Sequence, residues 1–445
     1  MTRGPQRGAG ACAARLSGVG AWVAVGLAVL LASAVARADD PGACGPFAAT
    51  AVAGGATASA AAEAGDAAST ATLLLVLPRT PDGGLGEEDL VLRPDARVAD
   101  SFWSPVLCAT VARIVGPPGA DPDALVTRLP AGAAVAPDTV YTAVGPAEPR
   151  PLPRGTSGSA DGGDPYRDLQ HALDALEPER ARPVTDGRGV RIGLVDSRPA
   201  PDHPDLPAMS PVGPFEAARP GRHGTLLAGV LAAPEDNGVG IVGLAPGATL
   251  VALPACAPAA DPAAPDRCRL FDLLRAFDAA WEARTAVLNL SLVGAANPLL
   301  ERAVARLDRL GMLVVAAAGN EPASPGPPAA YPAAYPAVIG VGAVDARGDP
   351  WPAGDAGGAV EIRAPGVEIV STVPDGFAFA DGTSLAAAHV SGVLALLASA
   401  SGDLGQARAA LFQAGHAHPG AEARAARLAP VCDALARLGR PCPDR

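Results

Sequence analysis

VRIGLVD (190–196) is a short apolar run that ends on a carboxylate, and further runs of the same texture follow it. They are ATLVALPA (248–255), AVLNLSLV (286–293), MLVVAAAG (312–319), AVIGVGAV (337–344) and VEIRAPGV (360–367). Near-continuous apolar runs of this length are what strands buried on both faces look like. Between them lie helical spacings at 223–233, 270–283 and 297–310, and YRDLQHALDALEPERA (166–181) precedes them with another. The alternation predicts an α/β fold with a doubly wound, mainly parallel sheet and helices on both faces. In such a sheet, functional groups gather at the carboxyl ends of the strands.

Upstream of this domain, PRPLPRGTSGSADGGDP (149–165) has the Pro, Gly and Ser content of a linker. Before the linker, TATLLLVLPR (70–79) and CATVARIV (108–115) read as strands and DPDALVTRL (121–129) as a short helix. AAVAPDTVYTAV (133–144) reads as a final strand, which completes a small α+β domain. Residues 39–70 are Ala- and Gly-rich. At the start of the chain, Arg3, Arg7 and Arg15 precede the apolar stretch 21–36, which closes on Ala36-Arg37-Ala38. That order is a secretory signal peptide with cleavage after residue 38; an uncleaved membrane anchor is the alternative. The expected organisation is therefore a signal peptide at 1–38, an N-terminal domain and linker at 39–154, the α/β domain at 155–420 and a tail at 421–445. A secreted or periplasmic protein follows, with no stable membrane span once the signal is removed.

The chain has 445 residues and a net charge of −12, and every one of its 34 basic residues is arginine. A phosphate-binding surface needs clustered cations, and no basic run occurs, so a nucleic-acid partner is not expected. Gly (52) and Pro (47) are abundant without a strict period, which excludes collagen. Removing residues 1–38 also removes Cys12 and leaves Cys44, Cys108, Cys256, Cys268, Cys432 and Cys442. An even count in an exported chain favours disulfides, and pairing of sequence neighbours is the simplest of 15 arrangements. No CxxC occurs, so zinc is not supported.

Four residues carry the chemistry. Asp196 ends the first strand, and alone it reads as a turn or capping carboxylate. His223 stands between Gly221 and Gly224 at the start of an apolar helix. Ser384 opens another helix, where free backbone N–H groups and the positive end of the dipole suit a nucleophile and a developing oxyanion. Asn320 follows the run 312–319 and offers a side-chain amide just beyond a strand. Peptide hydrolysis needs a nucleophile, a base, a carboxylate to orient that base, and oxyanion donors. Asp, His and Ser in this chain order, each at a strand end or helix start, supply one known solution.

At these residues the sequence resembles the subtilases, the subtilisin-like serine peptidases. The resemblance rests on VRIGLVDS with DHPDL (202–206), HGTLLAGVLA (223–232) and GTSLAAAHVSG (382–392). NGVGIVGLAPGATL (237–250), VLNLSLVG (287–294), VVAAAGNE (314–321) and YPAAYPAVIGVGAVD (331–345) support it in the same order. It implies a subtilisin-like fold and an exported endopeptidase acting on polypeptides through an acyl-enzyme. Asp196 would orient His223, His223 would act as general base and acid, and Ser384 would be the nucleophile. Asn320 would share the oxyanion with the Ser384 backbone N–H. Ser291, Leu292 and Val293 would pair with the substrate backbone, and Ala317, Gly319 and Ala330 would line the primary specificity pocket. Small residues there leave room for a sizeable apolar side chain, and Glu321 nearby leaves a basic one open. The resemblance makes the N-terminal domain propeptide-like and an intramolecular inhibitor, with processing expected within 145–165. It requires no cofactor, and it allows structural calcium without assigning ligands.

The pattern departs from the family at Arg198 and Val293, where glycines are usual, and at Leu385 and Ala388, where Met and Pro are usual. None of these removes a group the mechanism needs. The rival reading is a catalytically inactive binding or scaffold protein on the same fold. Gly238–Gly243 matches GxGxxG without a strand close before it, and Asn289-Leu290-Ser291 matches a glycosylation sequon inside a strand; both are set aside. An α/β-hydrolase would need its acid and histidine after Ser384, where only a short tail remains.

Overall fold

A computed structural model of the chain describes residues 70–78 and 90–444, apart from 131, 145–148, 153–162, 210, 214–218, 260, 262–263, 321–329, 355–358 and 422–424. The signal peptide, Cys12, Cys44, Glu321 and most of the linker lie outside the described residues.

The N-terminal region contains β1 (Thr70–Pro78), β2 (Val91–Leu92), β3 (Arg97–Ser104), β4 (Ala109–Pro118), β5 (Val126–Arg128) and β6 (Ala134–Pro137). Four of these form an antiparallel sheet in the order β3-β4-β1-β6. Its described helical content is the 3-10 turn Pro122–Ala124, so the helix expected over 121–129 is one turn followed by a strand. The final strand expected over 133–144 is in fact two. After β6 the chain turns and starts β7 (Val140–Ala143), which belongs to another sheet, and β8 (Arg150–Pro151) follows. β8, within the expected linker, pairs with a strand of the main domain.

That domain adds β9 (Arg191–Asp196), β10 (Thr249–Pro254), β11 (Cys256–Ala257), β12 (Arg267–Arg269), β13 (Val287–Leu290) and β14 (Leu292–Val293). It continues with β15 (Leu313–Ala317), β16 (Val338–Val344), β17 (Ile362–Pro365), β18 (Ile369–Val373), β19 (Gly376–Ala380) and β20 (Ala426–Arg427). Seven strands form one sheet in the order β10-β9-β13-β15-β16-β17-β20, and every pairing is parallel. The expected doubly wound parallel sheet is present. The chain runs from β9 outward to β10 and then crosses back to β13 on the other side. The end of β9, where Asp196 sits, is therefore a topological switch point, the place where such sheets put their functional groups.

Helices cover both faces. The histidine helix Arg222–Ala232 and the serine helix Thr383–Ser401 pack in one apolar cluster, with Leu404–Ala417 and Val431–Arg437 beside them. Leu270–Glu282 and Pro298–Arg309 share the other cluster, together with residues of the N-terminal sheet such as Leu74 and Val111. The serine helix is long and apolar enough to cross a membrane, but 89% of that window is buried within the fold, so it is a core helix. Residues 421–445, expected as a tail, supply the edge strand β20 and the buried helix Val431–Arg437. Helix limits follow local chemistry. Asn297 and Asp403 cap their helices by accepting the N–H groups of Leu299 and Gln406, and Pro298 occupies a first-turn position where no N–H is needed.

Cys256 pairs with Cys268 and Cys432 with Cys442, as neighbour pairing predicts. Cys108 is also disulfide-bonded, to a partner outside the described residues.

Candidate active site

Asp196, His223, Ser384 and Asn320 come from four separate elements and meet at the carboxyl edge of the parallel sheet. Asp196 is 1% exposed at the end of β9, and His223 stands in the first turn of its helix. The two carboxylate oxygens lie 2.9 and 2.8 Å from His223 Nδ1. One of them also accepts the Ser197 N–H at 2.7 Å and the Ser197 hydroxyl at 3.2 Å. These bonds fix the carboxylate, and through it the plane of the imidazole. Burial opposes charging of His223. The Asp196 charge and its hydrogen bond, then Asp266 and the Val144 carbonyl, outweigh burial and raise the imidazole above its ordinary value.

Ser384 and its neighbours begin the serine helix, whose first N–H groups have no acceptor within the helix. Asn320 follows β15, and its Oδ1 accepts the Thr383 N–H at 2.9 Å and the Thr383 hydroxyl at 3.0 Å. That pair holds the amide beside the start of the helix. Gly319, at φ +103°, makes the bend between β15 and Asn320 in backbone territory that side chains disfavour. Its N–H donates to Thr383 Oγ1 at 3.1 Å, which ties the bend to the same threonine.

The rest of the cleft is edged by a small antiparallel sheet. β7 is an inner strand of a four-stranded antiparallel sheet ordered β11-β12-β7-β14, so the chain's own residues 140–143 lie between two strands of the main domain. Leu292 pairs with Ala143 and Val293 with Thr142; Val144 N–H then donates to Ser291 O at 2.9 Å. On the other side, Ala143 N–H donates to Asp266 O at 2.9 Å. At the end of this strand the Val144 carbonyl oxygen accepts a bond from Ser384 Oγ, and His223 Nε2 lies 3.1 Å from it. Three residues earlier, Tyr141 is fully buried and its hydroxyl donates to Ala295 O at 3.1 Å. A Cβ on Gly294 would lie 2.4 Å from the Tyr141 ring, so only glycine admits the aromatic there.

The candidate catalytic and substrate-binding residues are therefore near one another. Ser291, Leu292 and Val293 line one side of β7; Ala317 and Gly319 end β15; buried Ala330 precedes Tyr331, which bridges to Gly294. Local sequence gave no sign of Val144, Tyr141 and Asp266, because their roles depend on strand pairing between distant segments. Asn289 had a signal that was read otherwise. Its sequon sits in β13, fully buried, and its amide links Ser391 Oγ to Ser291 Oγ, both at 2.9 Å. Ser291 Oγ in turn donates to Ser384 O at 3.3 Å, so Asn289 couples the binding strand to the serine helix.

The model of the subtilase family matches residues 187–414, half of the chain. The chain belongs to the subtilase family. It is 35% identical over 246 residues to a thermophilic serine proteinase of Bacillus sp. (strain AK1), covering 53% of this chain and 58% of that protein. It is 33% identical over 232 residues to subtilisin E of Bacillus subtilis (strain 168), covering 48% and 56%. It is 32% identical over 267 residues to thermitase of Thermoactinomyces vulgaris, covering 56% of this chain and 89% of that protein. This subtilase thus spans a little over half the length of the first two relatives. Among its described residues, no three His, Cys, Asp or Glu side chains are grouped to hold a metal ion.

Proposed function

We propose that this subtilase is an exported serine endopeptidase, and that its N-terminal region is an intramolecular inhibitor seated in its cleft. One observation carries the reading: an extended segment lies between β12 and β14 with its last carbonyl at Ser384 and His223. Strand addition of this kind recognises backbone first and side chains second. It is how a polypeptide substrate would lie.

In the reaction, the Ser384 hydroxyl gives its proton to neutral His223 Nε2 while Oγ attacks the carbonyl carbon. The oxyanion takes hydrogen bonds from Asn320 Nδ2 and the Ser384 N–H. Collapse breaks the C–N bond, the proton on Nε2 goes to the leaving amine, and an ester remains on Ser384. Water, deprotonated by the same nitrogen, attacks the ester; as the bond to Oγ breaks, that proton passes to Ser384 Oγ and the acid is released. Asp196 keeps Nδ1 protonated throughout and offsets the charge of the imidazolium.

The seated segment is held short of this reaction. Its carbonyl oxygen accepts the Ser384 hydroxyl, which is therefore turned toward that oxygen and away from proton transfer to His223 Nε2. Cleavage requires that carbonyl to turn toward Asn320 and the hydroxyl to turn toward Nε2. The bond after Val144 is the one so presented, at the edge of the 145–165 window. Disulfides at 256–268 and 432–442 support an oxidising, exported destination. The inactive reading is not favoured, because none of the four chemical groups is missing.

Fluorophosphonate labelling of the processed chain, with Ser384→Ala as control, tests the activity. Label that depends on Ser384, on a product beginning at Gly145, is expected. A processed chain that takes no label at Ser384 would overturn the proposal.

A further inference from the structure

We infer that Val293 narrows the primary specificity pocket, so that the residue contributing the scissile carbonyl must be small or β-branched and aliphatic. The inference rests on the peptidase reading and names the substrate class of that same site.

Register carries the argument. Thr142 is opposite Val293 and Ala143 opposite Leu292, and the bond from Val144 N–H to Ser291 O continues the pairing by one residue. Side chains two apart on a strand share a face, so Val144 projects on the side of Thr142 and Val293. Val293 is then the diagonal neighbour of Val144, within side-chain reach. Its isopropyl group points at the opposite wall: a Cβ built on Gly319 would lie 3.6 Å from Val293 Cγ1. The gap between β14 and the end of β15 is therefore spanned by Val293 on one side and closed by glycine on the other. Val144 is 5% exposed in the apolar cluster against which Val293 packs.

Small residues at 317, 319 and 330 had implied a roomy pocket. That inference considered one wall. A glycine at 293 would leave the space open for an aromatic or a long side chain, whereas valine fills it with two methyl groups. The segment the chain itself seats there carries valine, which matches the narrowed space.

The test uses the full chain in two forms. In the active form, mass spectrometry follows release of the fragment ending at residue 144. Val144→Phe is expected to slow release by roughly 10-fold or more, and Val144→Ala to release normally. Adding Val293→Ala to Val144→Phe restores part of the rate, and Val293→Gly restores more. In the Ser384→Ala form, hydrogen exchange at the Ala143 and Val144 amides reads seating without chemistry. Protection should fall in Val144→Phe and return with Val293→Gly. Val144→Phe released and protected like the parent, or no rescue by Val293→Gly in either form, overturns the inference. Absence of release in every active chain, with the exchange pattern as expected, would overturn the peptidase reading and support the narrowed pocket.

Discussion

Two sheets meet at the cleft and are built on different principles. The seven-stranded parallel sheet is buried on both faces, and its strand ends deliver Asp196 and Asn320. The small antiparallel sheet β11-β12-β7-β14 is assembled from three distant stretches of chain, and β7 comes from outside the family-matched residues. The first sheet is permanent because its apolar residues have nowhere else to go. The second has a strand that hydrogen bonds and one aromatic anchor hold in place. On the proposed function, chemistry is mounted on scaffold, and recognition on an exchangeable strand. Changes on the first sheet should alter turnover and leave seating intact; changes on the second should do the reverse.

The sharpest way to break this division is Ser384→Ala. Turnover should fall by on the order of 10⁶, while exchange protection at Ala143 and Val144 stays unchanged; lost protection would mean that the two sheets are not separable. Asn320→Ala should cost on the order of 10²–10³ in turnover, measured on a peptide substrate, with the same seating. Loss limited to a few-fold would remove Asn320 from the oxyanion site.

On the recognition side, Tyr141→Ala removes the buried ring and the hydrogen bond to Ala295. Large-to-small changes of this kind cost about 3–5 kcal/mol, so residues 140–144 should exchange freely while the parallel sheet remains protected. Gly294→Ala attacks the same contact from the other partner and should unseat the strand as well. If either variant left the strand protected, backbone pairing alone would hold it.

A smaller, pH-dependent effect lies where the N-terminal sheet docks on the helix Leu270–Glu282. Asp278 accepts the Ser104 hydroxyl at 2.9 Å and the Val106 N–H at 3.1 Å. Burial pushes its carboxyl up to about 8, against the lowering by those two bonds and with a further rise from Glu282. Arg275 and Asp100 pair nearby at 3.7 Å on the partly exposed rim. Released from the contact, the carboxyl returns toward the ordinary range, so docking takes up a proton. The contribution is complete below the ordinary carboxylate range and is lost as pH rises through about 8. Protection factors at residues 104, 106 and 107, corrected for intrinsic exchange, should therefore fall between pH 6 and 9, and Asp278→Asn should flatten that dependence. On the catalytic side, the Asp196 charge and hydrogen bond raise the His223 imidazole, so activity should rise as the imidazole loses its proton and persist into the alkaline range. Maximal activity at pH 4 would deny His223 the role of base.

Much of the main domain was legible because its signals are local. Apolar runs such as 287–290 and 313–317 have no alternative to burial, and glycine-flanked His223 and Ser384 mark helix starts whatever surrounds them. The stretch 133–144 was misread as one strand because pattern alone cannot tell that β6 and β7 have different partners. The linker failed in the same way at β8, which pairs with β19.

The sequence by itself determined the parallel sheet, the identity of the four chemical groups and their order, since burial and backbone propensity act within a few residues. Only the tertiary structure decided that Val144 lies against Ser384, that Tyr141 fills the space over Gly294, and that Val293 faces Gly319. Those contacts join segments about 150 residues apart or more in the first two cases, and which distant strands pair is fixed by packing of the whole fold, not by the composition of either strand.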